Sequence, residues 1–298
     1  MTNATLAYVA NVRAGKVSVI DTSMSAVTGV LSAGDAPFGI AVPPGGRAVW
    51  VTNFDGDDLW IIDMDTGTVT ATVPVDAGPG GIAFTRDGTR AYVTNYRGAT
   101  VSVIDTAAPA VLASVPVGGG PASVAVSPDG RAVYVPLYED GVLAVIDAAG
   151  LTVAGRIGVG AEPNGVAVSP DGEQVYVTGS ARAASDVSVI DIAEGAAAAV
   201  IDVDPGPFGI VLSPDGGHAY VTGYYSGTVS AIDTLARAVV ATIPAGDRPE
   251  NIAISRDGAR LCVTNQQGLS ASVIDAASFT VIATVDLGGI PGGVAFTN

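Results

Sequence analysis

The segment AYVTNYRGATVSVIDT, residues 91–106, holds two short apolar runs, 91–94 and 101–104, each followed by polar residues. Runs rich in β-branched and aromatic residues, bounded by Asn, Gly and Asp, read as two antiparallel strands joined by a tight turn. Nearly the same phrase returns along the whole chain. Aligning the copies puts Tyr8, Trp50, Tyr92, Tyr134, Tyr176, Tyr220 and Cys262 in one column, spaced by 42 residues with a single step of 44. A second column holds Asp21, Asp63, Asp105, Asp147, Asp191, Asp233 and Asp275, at the ends of SVID-like runs. A third holds Pro37, Pro79, Pro121, Pro163, Pro207, Pro249 and Pro291.

A period of 42 residues made of short strands and Gly, Pro, Asp and Asn turns is that of a propeller blade of about four strands. Helical arrays of similar period need long amphipathic runs, which are missing. The expected fold is therefore all-β: a seven-bladed β-propeller of four-stranded antiparallel blades, one domain spanning residues 1–298. In one copy, strand A is expected at 122–127, strand B at 132–137, strand C at 143–147 and strand D at 151–157. The SPDG between A and B makes a tight hairpin: Pro presets φ, Asp holds local N–H groups, and Gly takes the positive φ. The chain opens on a strand B, AYVAN, and closes on a strand A, PGGVAFTN. Residues 292–297 are thus expected to complete the blade begun by residues 7–31, a clasp that removes the two edges of a linear array.

Bulk composition fits this reading. Hydrophobic residues make up 48% of the 298, charged ones 14%, and there are 39 glycines, enough for a packed core with many turns and too apolar for disorder. A net charge of -16 with only 13 Lys+Arg argues against sequence-independent nucleic-acid binding and against anionic membranes, which both require a basic surface. The start, MTNATLAYVANV, lacks a basic segment followed by a secretory apolar run, and no stretch nears the ~18 apolar residues of a membrane span. A cytoplasmic location is expected. Cys262 and His218 are each the sole residue of their type, so neither a disulfide nor a multi-histidine metal site can form within the chain. Cys262 reads as a small buried hydrophobe in the Tyr column, and His218 as a surface residue of an A–B hairpin.

The phrases YVTN (92–95), VSVIDT (101–106) and SPDG resemble the YVTN-type β-propeller repeat family over residues 7–297. The resemblance implies a closed seven-bladed ring. It also implies a choice of roles: interaction scaffolds, secreted or surface proteins and, in related seven-bladed folds, lactonases and lyases.

If the repeat encodes the scaffold, function is expected where single copies depart from it, on the loops at the end where ligands enter the funnel. Around the repeated Pro the consensus is small, as in GPGG at 78–81. The departures are Phe38 and Phe208 as apolar walls, and Glu162, Asn164, Arg248, Glu250 and Asn251 as polar groups. After strand B the consensus Asn (Asn11, Asn53, Asn95, Asn265) is replaced by Leu137, Gly179 and Gly223. Beyond it come Tyr96 and Arg97, Tyr138 and Glu139, Tyr224 and Tyr225, and Gln266 and Gln267. The one length change, GSARAASD at 179–186, carries Arg182.

These residues point to a small-molecule site in the central funnel. Glu162 and Glu250 are the candidate general base and acid, Arg248 a carboxylate or oxyanion holder, and Tyr138 and Tyr224 proton donors or stacking groups. Phe38, Asn164, Phe208, Asn251, Tyr96, Arg97, Arg182 and Tyr225 are the candidate ligand contacts. A metal variant has Glu162, Asn164, Glu250 and Asn251 as hard oxygen ligands for calcium or magnesium, similar in type to those of gluconolactonase-like propellers. The alternative is a noncatalytic scaffold that presents the same face to a peptide or protein. VGGGP at 117–121 lacks the lysine and following helix of a phosphate loop.

Overall fold

The computed structural model describes residues 5–297. Across them, seven four-stranded antiparallel sheets close into a ring, with no helix among the described residues. Numbering blades from the N terminus, blade 1 takes its innermost strand from the chain's end. Strand Pro291–Phe296 pairs with Leu6–Asn11, Tyr8 lying opposite Ala295 and Val9 opposite Val294. The expected clasp is therefore formed, and blade 1 has four strands like the other six.

The Tyr column is buried as the repeat implies, and it packs between blades. Tyr92 of blade 3 joins a cluster with Val124, Val133 and Val135 of blade 4, and Tyr176 of blade 5 joins Ile210, Ala219 and Val221 of blade 6. Cys262 takes this place in blade 7, wholly buried, and burial pushes its thiol up to about 12. The aspartate column closes the C–D turns: Asp63 accepts from the N–H groups of Asp65 and Thr66, and Asp21 from those of Ser23 and Met24. In the SPDG hairpin, Asp129 accepts from Ser127 Oγ and the Arg131 N–H, and Gly130 has φ 72°. His218 departs from its expected place on the surface. It is the first residue of strand His218–Gly223, half-buried in a three-ring cluster with Tyr220 and Phe279.

A further column inside YVTN joins the blades. The threonines Thr52, Thr94, Thr178, Thr222 and Thr264 are wholly buried in strand B. Each hydroxyl accepts an N–H from its own innermost strand, at 2.8–3.1 Å. Each also donates to a carbonyl of the next blade's innermost strand, at 2.6–3.0 Å. One hydroxyl thus satisfies two buried backbone groups across a blade boundary. Thr222→Val keeps the shape and orphans the Gly209 N–H and the Glu250 carbonyl, which should cost about 3 kcal/mol. Urea unfolding of the variant against wild type measures this, and an unchanged midpoint would show that the staple carries no stability.

Two blades lack the threonine. Blade 1 has Ala10 in that place and keeps a full innermost strand, Pro291–Phe296, whereas blade 4 has Pro136, with neither hydroxyl nor N–H, and its innermost strand shrinks from the expected 122–127 to Ala125–Val126, plus one bridge between Pro121 and Leu137. The other strands of this blade, Ala132–Leu137, Val142–Asp147 and Thr152–Gly158, lie within a residue of expectation.

The repeated Asn after strand B belongs to the scaffold: Asn53, Asn95 and Asn265 are wholly buried and Asn11 nearly so. Asn53 accepts from the Gly34 N–H in the loop entering its own blade, and Asn265 Nδ2 donates to Ser272 Oγ. A buried amide that ties loop to blade is scaffold, and its replacement by Leu137, itself wholly buried, changes the packing rather than the ligand face.

Candidate functional site

The innermost strands run from the mouth down the axis, so successive positions after the repeated Pro line successive levels of the tunnel. Together they enclose a cavity of about 600 Å³. The first level carries Phe38, Gly80, Ala122, Asn164 and Phe208. The second is nearly all glycine, with Ser123 and Asn251 as exceptions. Below it lies an aliphatic belt that includes Ile40, Ile82, Val166, Ile210, Ile252 and Val294. Phe54, Asp55, Tyr96 and Arg97, from the loops after strand B, complete the wall at the mouth.

Six of the expected site residues therefore line one cavity: Phe38, Asn164, Phe208, Asn251, Tyr96 and Arg97. Phe54 and Asp55 join them without having been expected. Their signal was present, because Phe54 follows Asn53 as Tyr96 follows Asn95. Phe54 stands 6.2 Å from Phe38, centroid to centroid, and the Arg97 guanidinium lies 4.4 Å over it while pairing with Asp55 at 2.8 Å. Arg97 is thereby held against blade 2.

The remaining expected residues, Glu162, Glu250, Arg248, Tyr138, Tyr224, Arg182 and Tyr225, stand behind or above this wall. They form two groups. Tyr138 faces Tyr96 at 6.4 Å, and burial, then a hydrogen bond and the charge of Glu162, push the Tyr138 hydroxyl up to about 12. Tyr96 is raised as well, by burial and then by the charges of Glu139 and Glu162. Glu162 thus belongs to an acidic, aromatic arc over blades 3 to 5.

The other group lies over blades 6 and 7. Arg248 donates to Tyr224 Oη at 3.2 Å, and the Tyr224 hydroxyl donates to Gln266 Oε1 at 2.6 Å. Gln266 in turn donates to the Glu250 carboxyl. Arginine can only donate and an amide oxygen only accept, so the Tyr224 hydroxyl receives from Arg248 and gives to Gln266. Glu250 is 4% exposed, and burial, partly opposed by Gln266, pushes its carboxyl up to about 7. Tyr224 also stands 5.8 Å from Phe208 and edge-on to Tyr225, and Arg182 lies 5.8 Å from the Tyr225 ring.

The position before the repeated Pro is left-handed in six blades. Gly78, Gly120 and Gly206 fill it in blades 3, 4 and 6, whereas Ala36, Glu162 and Arg248 carry a side chain there at φ 50°, 51° and 53°. A side chain in this left-handed region costs about 1 kcal/mol or more relative to glycine. In the glycine blades the space is taken by Arg97, by Glu139 and Tyr96, and by Tyr225, which a Cβ would meet. Glu162 and Arg248 occupy it in their own blades.

Of the oxygen set considered for calcium or magnesium, Asn164 and Asn251 line the cavity, while Glu162 is engaged by Tyr138 and Glu250 by Gln266.

A family model described as YNCE-like beta-propeller matches residues 74–169 and 212–298, more than half of the chain. The chain belongs to the YNCE-like beta-propeller family. Among solved structures, this YNCE-like propeller is similar to Kuenenia stuttgartiensis hydrazine synthase, with TM-score 0.82 and 23% identity over 91% of this chain and 92% of that one. It is also similar to a functionally unknown protein from Desulfotomaculum acetoxidans DSM 771, with TM-score 0.85 and 16% identity over 98% and 99% of the two chains. At these identities the likeness is one of fold. No curated protein gives a significant match to the YNCE-like chain.

Proposed function

We propose that this propeller binds a small organic molecule in its axial cavity, apolar end first. The observation that carries the reading is a cavity of about 600 Å³ walled by Phe38, Phe54, Phe208 and Tyr96, with Asn164, Ser123 and Asn251 as its few inner polar side chains. Mostly apolar walls with a few polar groups are the composition of small-molecule pockets, and the volume lies in their usual range. Turnover of the ligand by lactonase-like or lyase-like acid–base chemistry would fall to Glu162 and Tyr138 at the rim, because Glu250 is enclosed by protein. Binding is accordingly the core of the proposal, and turnover its extension.

The test uses the repeat itself. Ala122 occupies the position that carries phenylalanine in blades 2 and 6, so Ala122→Phe adds a third ring to the cavity with a side chain this position already accommodates. The variant is expected to keep the wild-type melting temperature and to lose at least about 90% of the binding of apolar fragments, read by saturation-transfer NMR of a fragment mixture. Fragments that bind wild type and Ala122→Phe equally would place ligands elsewhere and overturn the proposal.

A further inference from the structure

The charges around the mouth are not evenly compensated, and this bears on what the cavity takes. Three arginines of the rim are already engaged: Arg97 pairs with Asp55 and covers Phe54, Arg248 donates to Tyr224 and lies 5.2 Å from its ring, and Arg182 lies over Tyr225. Arg13, exposed after strand Leu6–Asn11, belongs to blade 1, across the ring from blades 4 and 5. The acidic arc has no such partner. Among the described residues no Lys or Arg forms an ion pair with Glu139 or Glu162. These carboxylates act on the hydroxyls of Tyr96 and Tyr138, whose rings stand 6.4 Å apart, and Tyr96 is a wall of the cavity.

A pair of electron-rich rings beside an uncompensated carboxylate, opening onto an apolar cavity, is the environment in which an organic ammonium group is held. The ring faces attract the cation, the carboxylate supplies the counter-charge, and the partly buried site weakens screening. An anion would meet the same carboxylates as repulsion. A neutral ligand would leave them uncompensated.

We infer that the ligand of the axial cavity is an organic cation, an ammonium group on an apolar body, with the body among Phe38, Phe54 and Phe208 and the charge against Tyr96, Tyr138 and Glu162. This rests on the cavity being a ligand site. It adds the sign of the ligand's charge and the side of the mouth that reads it.

Three probes with the same ring separate the two claims: benzyltrimethylammonium, benzyl alcohol and benzoate, titrated by isothermal calorimetry at low salt. Wild type is expected to bind the cation about tenfold tighter than the alcohol, with benzoate weakest. Glu162→Gln and Tyr138→Leu should each weaken the cation by about fivefold and leave the alcohol unchanged, with melting temperatures verifying that both variants fold. Equal binding of cation and alcohol, or preference for benzoate, would overturn the inference while leaving the cavity reading in place. Failure of all three probes to bind would remove the cavity reading and this inference with it. Cation binding that survives both substitutions would also overturn it, because the charge would then be read elsewhere.

Discussion

Truncation after Ile290 is expected to abolish cooperative folding of the whole ring. The missing strand, Pro291–Phe296, is the innermost strand of blade 1 and pairs along Leu6–Asn11. It places Val294 and Phe296 in one buried cluster with Ala7, Val9 and Ile20 of blade 1 and Cys262, Ala271 and Val285 of blade 7. Burial of a valine and a phenylalanine alone contributes about 5 kcal/mol, and the lost ladder and the orphaned Thr264 hydroxyl add to that. The total is comparable to the 5–15 kcal/mol net stability of a typical domain. The loss is also not confined to one blade, since it opens the inner edge of strand Leu6–Asn11 in blade 1 and uncovers the packed face of blade 7. Circular dichroism should show a broad, non-cooperative melt, and size exclusion should show aggregation through the exposed edges. A peptide of residues 290–297 added in trans should restore the cooperative transition. A truncated protein that melts sharply at the wild-type temperature would mean that the ring does not depend on its clasp.

The same repeat explains how far the sequence could be read. The fold was legible because propeller blades are set by local pattern: Pro at the entrance, a Tyr in strand B and an Asp after strand C recur whatever the neighbours are. Closure followed from the order of strands at the two ends. The Thr column was visible but not interpretable, because Thr222 looks like any β-branched strand residue until Glu250, 28 positions on, is placed across a blade boundary. The partners of the Asn column were hidden for the same reason, since Asn53 meets the Gly34 N–H only once the loop entering its blade is placed. Subtracting the repeat did find the first level of the cavity, Phe38, Asn164 and Phe208, because that level is where copies differ in size. Phe54 escaped it, although the same place after the repeated Asn carries Tyr96 and Gln266 in blades that keep that Asn. The subtraction also set Glu250 at the open mouth, whereas the enclosure of its carboxyl comes with Gln266 and Tyr224, one repeat period apart in sequence.

The burial of Glu250 has a measurable consequence: Glu250→Gln is expected to remove a fall in stability that wild type shows between about pH 5 and 7. An unfolded glutamate titrates near 4.5, and burial pushes the folded group up to about 7. Between those values the folded protein holds a proton that the unfolded chain has released. Stability is therefore highest below the unfolded value, declines as pH rises through this window, and levels off above the folded value. The turn aspartates act with the opposite sign. Asp21, Asp63 and Asp129, held low by hydrogen bonds from their turns, stabilise the fold above their ordinary range and lose that contribution only on further acidification. The two windows barely overlap, which leaves the Glu250 effect readable by itself. Glutamine has the shape of the protonated acid and can accept the Gln266 N–H, so the variant should match wild type near pH 5 and exceed it at pH 8. An upper bound on the gain is about 3 kcal/mol, reduced by the one amide hydrogen left without a partner. Urea unfolding of both proteins at four pH values from 5 to 8 gives the comparison. Parallel stability curves would mean that Glu250 ionises as freely in the folded ring as in the unfolded chain, and the chain from Arg248 through Tyr224 and Gln266 would then end on an ordinary carboxylate.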